Sequence, residues 1–264
     1  MYYNKKIIFC ISIVIILIII VRYLGFTHEN FINKSTDIPI VIICWNNYYF
    51  VNNFIEQLKK YKNPIILLDN KSNYQPLLNY YKEIKKELGD RIEIRLLDEN
   101  YGSNVYLTLK DTLPDIYILS DPDLELNKNM PDNFAEIFLK ISNKYNCYKV
   151  GCSLSLDDKE KFIECESYTQ GKNIYDWESQ FWTKKINDDT YEMYHADIDT
   201  TFCLINNNNY SDNIYDGIRV AGNFTAKHLP WYKDYIKTNI SQNEIENWKH
   251  NNISSSILFS CLQL

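Results

Sequence analysis

The sequence predicts an α/β fold, a mixed and mostly parallel sheet flanked by helices, behind one N-terminal transmembrane helix. Three observations predict it. From residue 38 to residue 120, short apolar runs rich in β-branched residues alternate with amphipathic stretches, the pattern of strand–helix–strand crossovers. Each run stops at a polar turn: Trp45-Asn46-Asn47, Asp69-Asn70-Lys71-Ser72, Asn100-Tyr101-Gly102 and Ser120-Asp121-Pro122-Asp123. The chain of 264 residues, 45% hydrophobic and 15% aromatic, suffices for one full core but not for a second large domain.

The elements follow in order. Lys5 and Lys6 precede an apolar stretch, residues 7–26, interrupted by Ser12 and Arg22. With Arg22 snorkelling to the headgroups, it reaches the roughly 20 residues a spanning helix needs. No small-residue cleavage site follows, so it reads as a signal anchor. Two lysines and the terminal amine against one arginine place the N-terminus in the cytoplasm, the type II single-pass orientation. Residues 1–26 are thus tip and anchor, 27–37 a short polar stem, and 38–264 the folded domain. Strands are expected over 39–44, 64–68, 92–97 and 116–119. Helices are expected over 48–61, where Phe50, Phe54, Leu58 and Tyr61 recur at helical spacing, over 77–88 closed by Gly89, and over 105–112. The alternation implies right-handed crossovers.

Beyond residue 126 the pattern loosens. An amphipathic helix is expected over 131–145, strands over 149–156, 200–205 and 217–222, and a short helix over 176–185 that carries Trp177, Phe181 and Trp182. The tail from Ser241, with Ile245 and Trp248, reads as helical.

Composition narrows the function classes. A net charge of −6 with no long basic run disfavours a nucleic-acid groove. Seven glycines and seven prolines leave little room for disordered linkers. The seven cysteines include no C-x-x-C pair; Cys44 and Cys203 lie in apolar runs as free core residues, while Cys147, Cys152 and Cys165 are near enough in sequence for a disulfide to stay open.

Four clusters bear chemistry. Asp69, at a strand end, can accept hydrogen bonds from a base or ribose. In Asn100-Tyr101-Gly102 the glycine permits close backbone approach to a ligand. Asp121 and Asp123 place two hard oxygen donors where an open α/β sheet binds ligands, a donor set that suits Mg2+ or Mn2+ carrying phosphates. The fourth cluster lies late: Asp197 and Asp199 flanking Ile198, then Arg219, then His228. At strand spacing the two aspartates share a face, and one of them is a candidate general base. Arg219 pairs either with phosphate or with an acidic neighbour, and His228 is a candidate third metal ligand. Trp177, Trp182 and Trp231 either stack on sugar rings or pack the core.

The order Val41-Ile42-Ile43-Cys44-Trp45-Asn46, Leu68-Asp69-Asn70-Lys71-Ser72, Asn100-Tyr101-Gly102, Leu119-Ser120-Asp121-Pro122-Asp123 resembles the nucleotide-binding half of GT-A fold glycosyltransferases of the family 2 type. Asp199-Thr200-Thr201-Phe202, Arg219-Val220-Ala221-Gly222 and His228-Leu229-Pro230-Trp231-Tyr232 are similar to a polysaccharide-type subgroup. The resemblance covers roughly residues 38–235. It implies a Rossmann-like GT-A sheet and transfer of a sugar from a nucleotide-diphosphate donor, UDP-sugar favoured, to a glycan, lipid or protein hydroxyl, with inversion. It further implies Mn2+ or Mg2+ on Asp121, Asp123 and His228. Asn46, Asp69, Asn100, Gly102, Asp121 and Arg219 would then contact the nucleotide sugar. The Glu-Asp pair at a helix start that supplies the family's base is not evident, so Asp199, Asp197 and Glu178 remain rivals.

Two other classes share some of these features. Haloacid-dehalogenase-like phosphatases also carry Asp-x-Asp after a strand, but there the motif opens the domain, whereas here three strands precede it and Leu124 follows. A membrane-anchored nucleotide- or sugar-binding protein without turnover is the other.

Overall fold

The computed structural model describes residues 35–164 and 171–251. The apolar run over 7–26, and with it the expected membrane helix, lies outside them; among the described residues no helix is long and apolar enough to cross a membrane.

The first half is a regular series: β1 (Ile40–Cys44), α1 (Tyr48–Leu58), β2 (Ile65–Asp69), α2 (Gln75–Leu88), β3 (Ile92–Leu96), the one-turn α3 (Val105–Thr108) and β4 (Ile116–Ser120). All five residues of β1, β2 and β4 are buried. That is why these strands read as unbroken apolar runs: both sheet faces are covered. Along β1, Ile40, Ile42 and Cys44 enter one core with Phe54, Leu77 and Phe138, while Val41 and Ile43 enter the other with Tyr106 and Tyr117. Gly89 ends α2 with a positive φ of 55°. The edge strand β3 alternates instead, and its exposed face carries the Glu93–Arg95 ion pair, which blunts edge-to-edge pairing.

The second half holds β5 (Leu124–Glu125), α4 (Phe134–Tyr145), β6 (Lys149–Cys152), α5 (Ile174–Ser179), β7 (Lys185–Ile186), β8 (Met193–His195), β9 (Cys203–Asn206), β10 (Gly217–Val220), β11 (Lys227–His228), α6 (Tyr235–Asn239) and α7 (Gln242–His250). The main sheet has nine strands in the order β3-β2-β1-β4-β9-β6-β10-β8-β7, and β5 and β11 form a separate ribbon. β2, β1, β4 and β3 run parallel; β9 is antiparallel to β4 and β6, and β8 is antiparallel to β10. The sheet is therefore mixed and mostly parallel, as expected. A Cβ on Gly151 would collide with Cys203 and the Phe202 carbonyl, so only glycine lets β6 approach β9.

Several expectations are revised. The helix expected over 176–185 starts earlier and breaks into a 3-10 turn, Gln180–Trp182, before β7. The strand expected over 149–156 ends at Cys152, and Asp197 and Asp199 sit in irregular chain between β8 and β9 rather than on a strand. Both still face outward with Ile198 buried between them. Trp231 is 3% exposed and belongs to the core. Cys44, Cys147, Cys152 and Cys203 are buried free thiols; Cys165 lies outside the described residues.

Candidate functional site

The chain runs outward from β1 to β2 to β3, then returns to lay β4 on the other side of β1. This reversal opens a crevice at the carboxyl ends of β1 and β4, the position at which open α/β sheets bind ligands. Three of the sequence-marked turns line its first half. Asn46 has a φ of 54° and is fully buried. Its Oδ1 accepts from the N–H groups of Asn73 (2.8 Å) and Tyr74 (2.9 Å), and its own N–H donates to Ser72 Oγ (2.8 Å). Asp69 Oδ1 accepts from the Ser72 N–H at 2.7 Å and Oδ2 from the Tyr81 hydroxyl at 2.6 Å. Both residues thus shape the loop, and each Asp69 oxygen already holds an internal donor. Asn70, which the sequence did not single out, joins this loop to the next: Nδ2 donates to the Gly102 carbonyl (3.1 Å) and Oδ1 accepts from the Tyr101 N–H (3.2 Å). Gly102, at φ 71°, donates its N–H to Asn100 Oδ1 at 2.9 Å.

The acidic end is built by β4 and the ribbon. The Asp121 N–H donates to the Thr200 carbonyl at 2.9 Å, and the Thr200 hydroxyl donates to the Asp121 carboxylate. Burial holds the Asp121 carboxyl well above the usual range, and the charges of Asp123 and Asp199 add to the rise, against the Thr200 hydrogen bond and the Lys149 charge. Just beyond, β5 pairs with β11 so that His228 lies opposite Leu124, and the Leu229 N–H donates to the Asp123 carbonyl at 2.9 Å. This register sets His228 Nε2 3.3 Å from Asp123 Oδ2. Asp123 Oδ1 and His228 Nδ1 are buried with no hydrogen-bond partner among the described residues.

Lys149 closes the site from behind, and the sequence marked it only as a strand start. It is fully buried, with Nζ donating to the carbonyls of Ile198 (3.0 Å) and Asp199 (2.8 Å). Burial lowers its pKa, while Asp199, Asp121 and Asp197 are among the negative charges that oppose the drop. Asp199 presents its side chain to solvent from within dense protein; desolvation raises its carboxyl, with Lys149 and Arg219 opposing.

Arg219 pairs with an acidic neighbour, not with the crevice. Its guanidinium donates to Glu178 Oε1 at 2.6 Å and to the Asp197 carbonyl at 2.8 Å, and lies 4.2 Å from the Phe181 ring centre. Glu178 is 1% exposed, and burial pushes its carboxyl up to about 7 despite the nearby Arg219 and His228. Among the three rival bases, Glu178 is committed inward, while Asp197 and Asp199 both keep exposed side chains and engage through their carbonyls; Asp199 is the one whose charge acts on Asp121.

Among the described residues no group of three or more His, Cys, Asp or Glu side chains is gathered closely enough to hold a metal ion. The expected trio is split: Asp123 and His228 face each other, while the Asp121 carboxylate turns to Thr200. The pair nonetheless fits a divalent cation, because it combines carboxylate and imidazole donors with an orphaned carboxylate oxygen that a cation would satisfy.

A groove of about 1150 Å³ lies beside the ribbon, lined in part by Gln57, Glu125, Trp182 and Lys227. Successive strand residues face opposite ways, so Lys227 and Glu125 look into it while His228 looks away. None of Asp121, Asp123, Asp199 and His228 lines it.

No family model matches the chain, and no curated protein matches it. Solved structures do. GalNAc-T7 with UDP, GalNAc and Mn2+ superposes with a TM-score of 0.50 at 12% identity, over 84% of this chain and 51% of that one. The mannosyltransferase PcManGT from Pyrobaculum calidifontis, in complex with GDP-Man and Mn2+, gives a TM-score of 0.46 at 10% identity, over 86% and 70%. This chain spans about half the length of GalNAc-T7. The likeness to GalNAc-T7 shows that the chain has the GT-A glycosyltransferase fold.

Proposed function

We propose that this protein is a metal-dependent glycosyltransferase that moves a sugar from a nucleotide-diphosphate sugar, UDP-sugar favoured, to the hydroxyl of a glycan, lipid or protein acceptor. The observation that carries the reading is the Asp123–His228 pair, held 3.3 Å apart at the switch-point crevice with Asp199 on the neighbouring segment. GalNAc-T7 was solved with UDP, GalNAc and Mn2+, which supports the nucleotide, sugar and metal proposed here.

Asp123 and His228 would hold Mn2+ or Mg2+, which when bound offsets the charge on the leaving diphosphate. The loops at Asn46, Asp69 to Ser72 and Asn100 to Gly102 form the wall for the nucleoside. Thr200 and Lys149 fix Asp121 and the main chain of Asp199, so that the Asp199 carboxylate faces the open end. There it takes the proton of the acceptor hydroxyl as the acceptor oxygen bonds to the anomeric carbon. The bond from that carbon to the phosphate oxygen breaks, the nucleoside diphosphate leaves with the electron pair, and attack from the opposite face inverts the centre. Residues 7–26 would anchor the enzyme in the membrane with the domain on the far side.

The test is turnover of a nucleotide-sugar panel by the purified full chain with Mn2+. Release of nucleoside diphosphate is expected, and Asp123→Ala should lower it by more than roughly 100-fold, beyond the effect of altering an outer-shell partner. Full activity in Asp123→Ala, or phosphate release from simple esters in place of transfer, would contradict the proposal.

A further inference from the structure

α1 begins without a cap of its own: Asn47, at its N-cap position, makes no side-chain capping bond. The cap comes from the other end of the domain. Glu244, on α7, accepts from the Tyr49 N–H at 3.0 Å and 3.3 Å through its two oxygens. One turn on, the Trp248 indole N–H donates to the Asn46 carbonyl at 2.6 Å, and its ring stacks on Phe50 with centroids 6.2 Å apart and planes 3° from parallel. Asn46 is the positive-φ residue whose side chain holds Asn73 and Tyr74.

A second row on the same helix reaches the second loop directly. Asn243 and Asn247, four residues apart, share one face of α7, and Asn251, the residue that caps its C-terminus, continues the row. Asn243 Nδ2 donates to the Tyr74 hydroxyl (3.4 Å), Asn247 Nδ2 to Asn73 Oδ1 (3.3 Å), and Asn251 Oδ1 accepts from Asn73 Nδ2 (2.8 Å). Thus the face bearing Glu244 and Trp248 grips the loop after β1, and the face bearing the three asparagines grips the loop after β2.

We propose that α7 is a clamp on the donor crevice, with Glu244 and Trp248 as positioning residues that preset the loops after β1 and β2 for the nucleoside. The inference rests on the donor assignment made above and adds how that part of the site is held. It also explains where the diphosphate goes. A bare helix N-terminus beside a crevice is a ready phosphate site, but here Glu244 fills it with a carboxylate, so the phosphates are left to the Asp123–His228 end.

The test compares the full chain with Glu244→Ala, Glu244→Gln and Trp248→Phe by amide hydrogen exchange and by titration with UDP and with GDP, each with Mn2+. Trp248→Phe keeps the stacked ring and loses the indole donor; Glu244→Gln keeps an acceptor for Tyr49. In Glu244→Ala and Trp248→Phe, exchange should rise about tenfold or more over residues 46–51 and 70–74 and stay unchanged in β4 and α4. The Kd of the nucleotide that wild type binds should rise about tenfold, and Glu244→Gln should restore it to within about threefold. Unchanged exchange in those loops overturns the clamp, and so does loosened exchange with an unchanged Kd. If wild type binds neither nucleotide, the donor reading fails instead, while the exchange data still decide whether α7 holds the loops.

Discussion

Single side chains in this crevice do more shaping than displaying. Lys149 is the clearest case, because one buried ammonium ties down the Ile198 and Asp199 carbonyls and opposes the burial-driven rise of the Asp121 and Asp199 carboxyl pKa values. Lys149→Met should leave those carbonyls unpaired, a loss of about 1–3 kcal/mol, measurable by denaturant unfolding. Removing the positive charge should also move the acid limb of the pH–rate profile to higher pH, because Asp199 then deprotonates later. Glu244 gives a second pH signature. Burial pushes its carboxyl up to about 7 from an ordinary 4.5, against the hydrogen bond from the Tyr49 N–H. The folded state therefore holds this proton more tightly than the unfolded chain does. Its contribution to stability is complete below about pH 4.5 and is lost as pH rises through 7, by roughly 3 kcal/mol at most. Glu244→Gln has no such proton, so its melting temperature should vary less between pH 5 and pH 7.5 than that of wild type. An equal slope in the two proteins would remove Glu244 as the source.

Elements decide which of these residues meet. The first four strands and their turns were legible in the sequence because each is local: an apolar run of fixed length ends at a polar turn, and burial on both faces makes the run continuous. The β5–β11 ribbon was not legible. Each strand has two residues, and the pairing joins Leu124 to His228, 104 residues further along the chain. His228 stood out among four histidines, yet its distance to Asp123 depends on that ribbon. The Glu178–Arg219 pair and the α7 clamp were hidden for the same reason, since nothing in a local pattern marks a partner 41 or 195 residues away. Gln57 shows how an element is held in register. From α1 its Nε2 donates to the Leu124 carbonyl at 2.9 Å and its Oε1 accepts from the Leu126 N–H at 2.8 Å, one on each side of Glu125. Gln57→Leu removes both bonds at a cost of about 1–3 kcal/mol. It should weaken Mn2+ binding several-fold by loosening Asp123, and an unchanged Mn2+ affinity would show that the ribbon keeps its place without α1.

At the scale of the whole molecule, strand order turns local signals into one site. The reversal after β3 brings Asn46, Asp69 and Asp121 to neighbouring strand ends, the β5–β11 ribbon sets His228 beside Asp123, and the Lys149 side chain reaches from the start of β6 to hold the Asp199 main chain. The division proposed here follows from that layout: nucleoside against the loops after β1 to β3, diphosphate at Asp123 and His228, acceptor proton to Asp199. The acceptor itself has no comparable signature, and the 1150 Å³ groove faces the other side of the ribbon. The most direct test of the central claim is Mn2+ binding in the presence of UDP, followed by electron paramagnetic resonance of the purified chain. Wild type should immobilise Mn2+, and Asp123→Ala and His228→Ala should each weaken binding by about tenfold or more. Mn2+ bound with wild-type affinity in both variants would contradict the account.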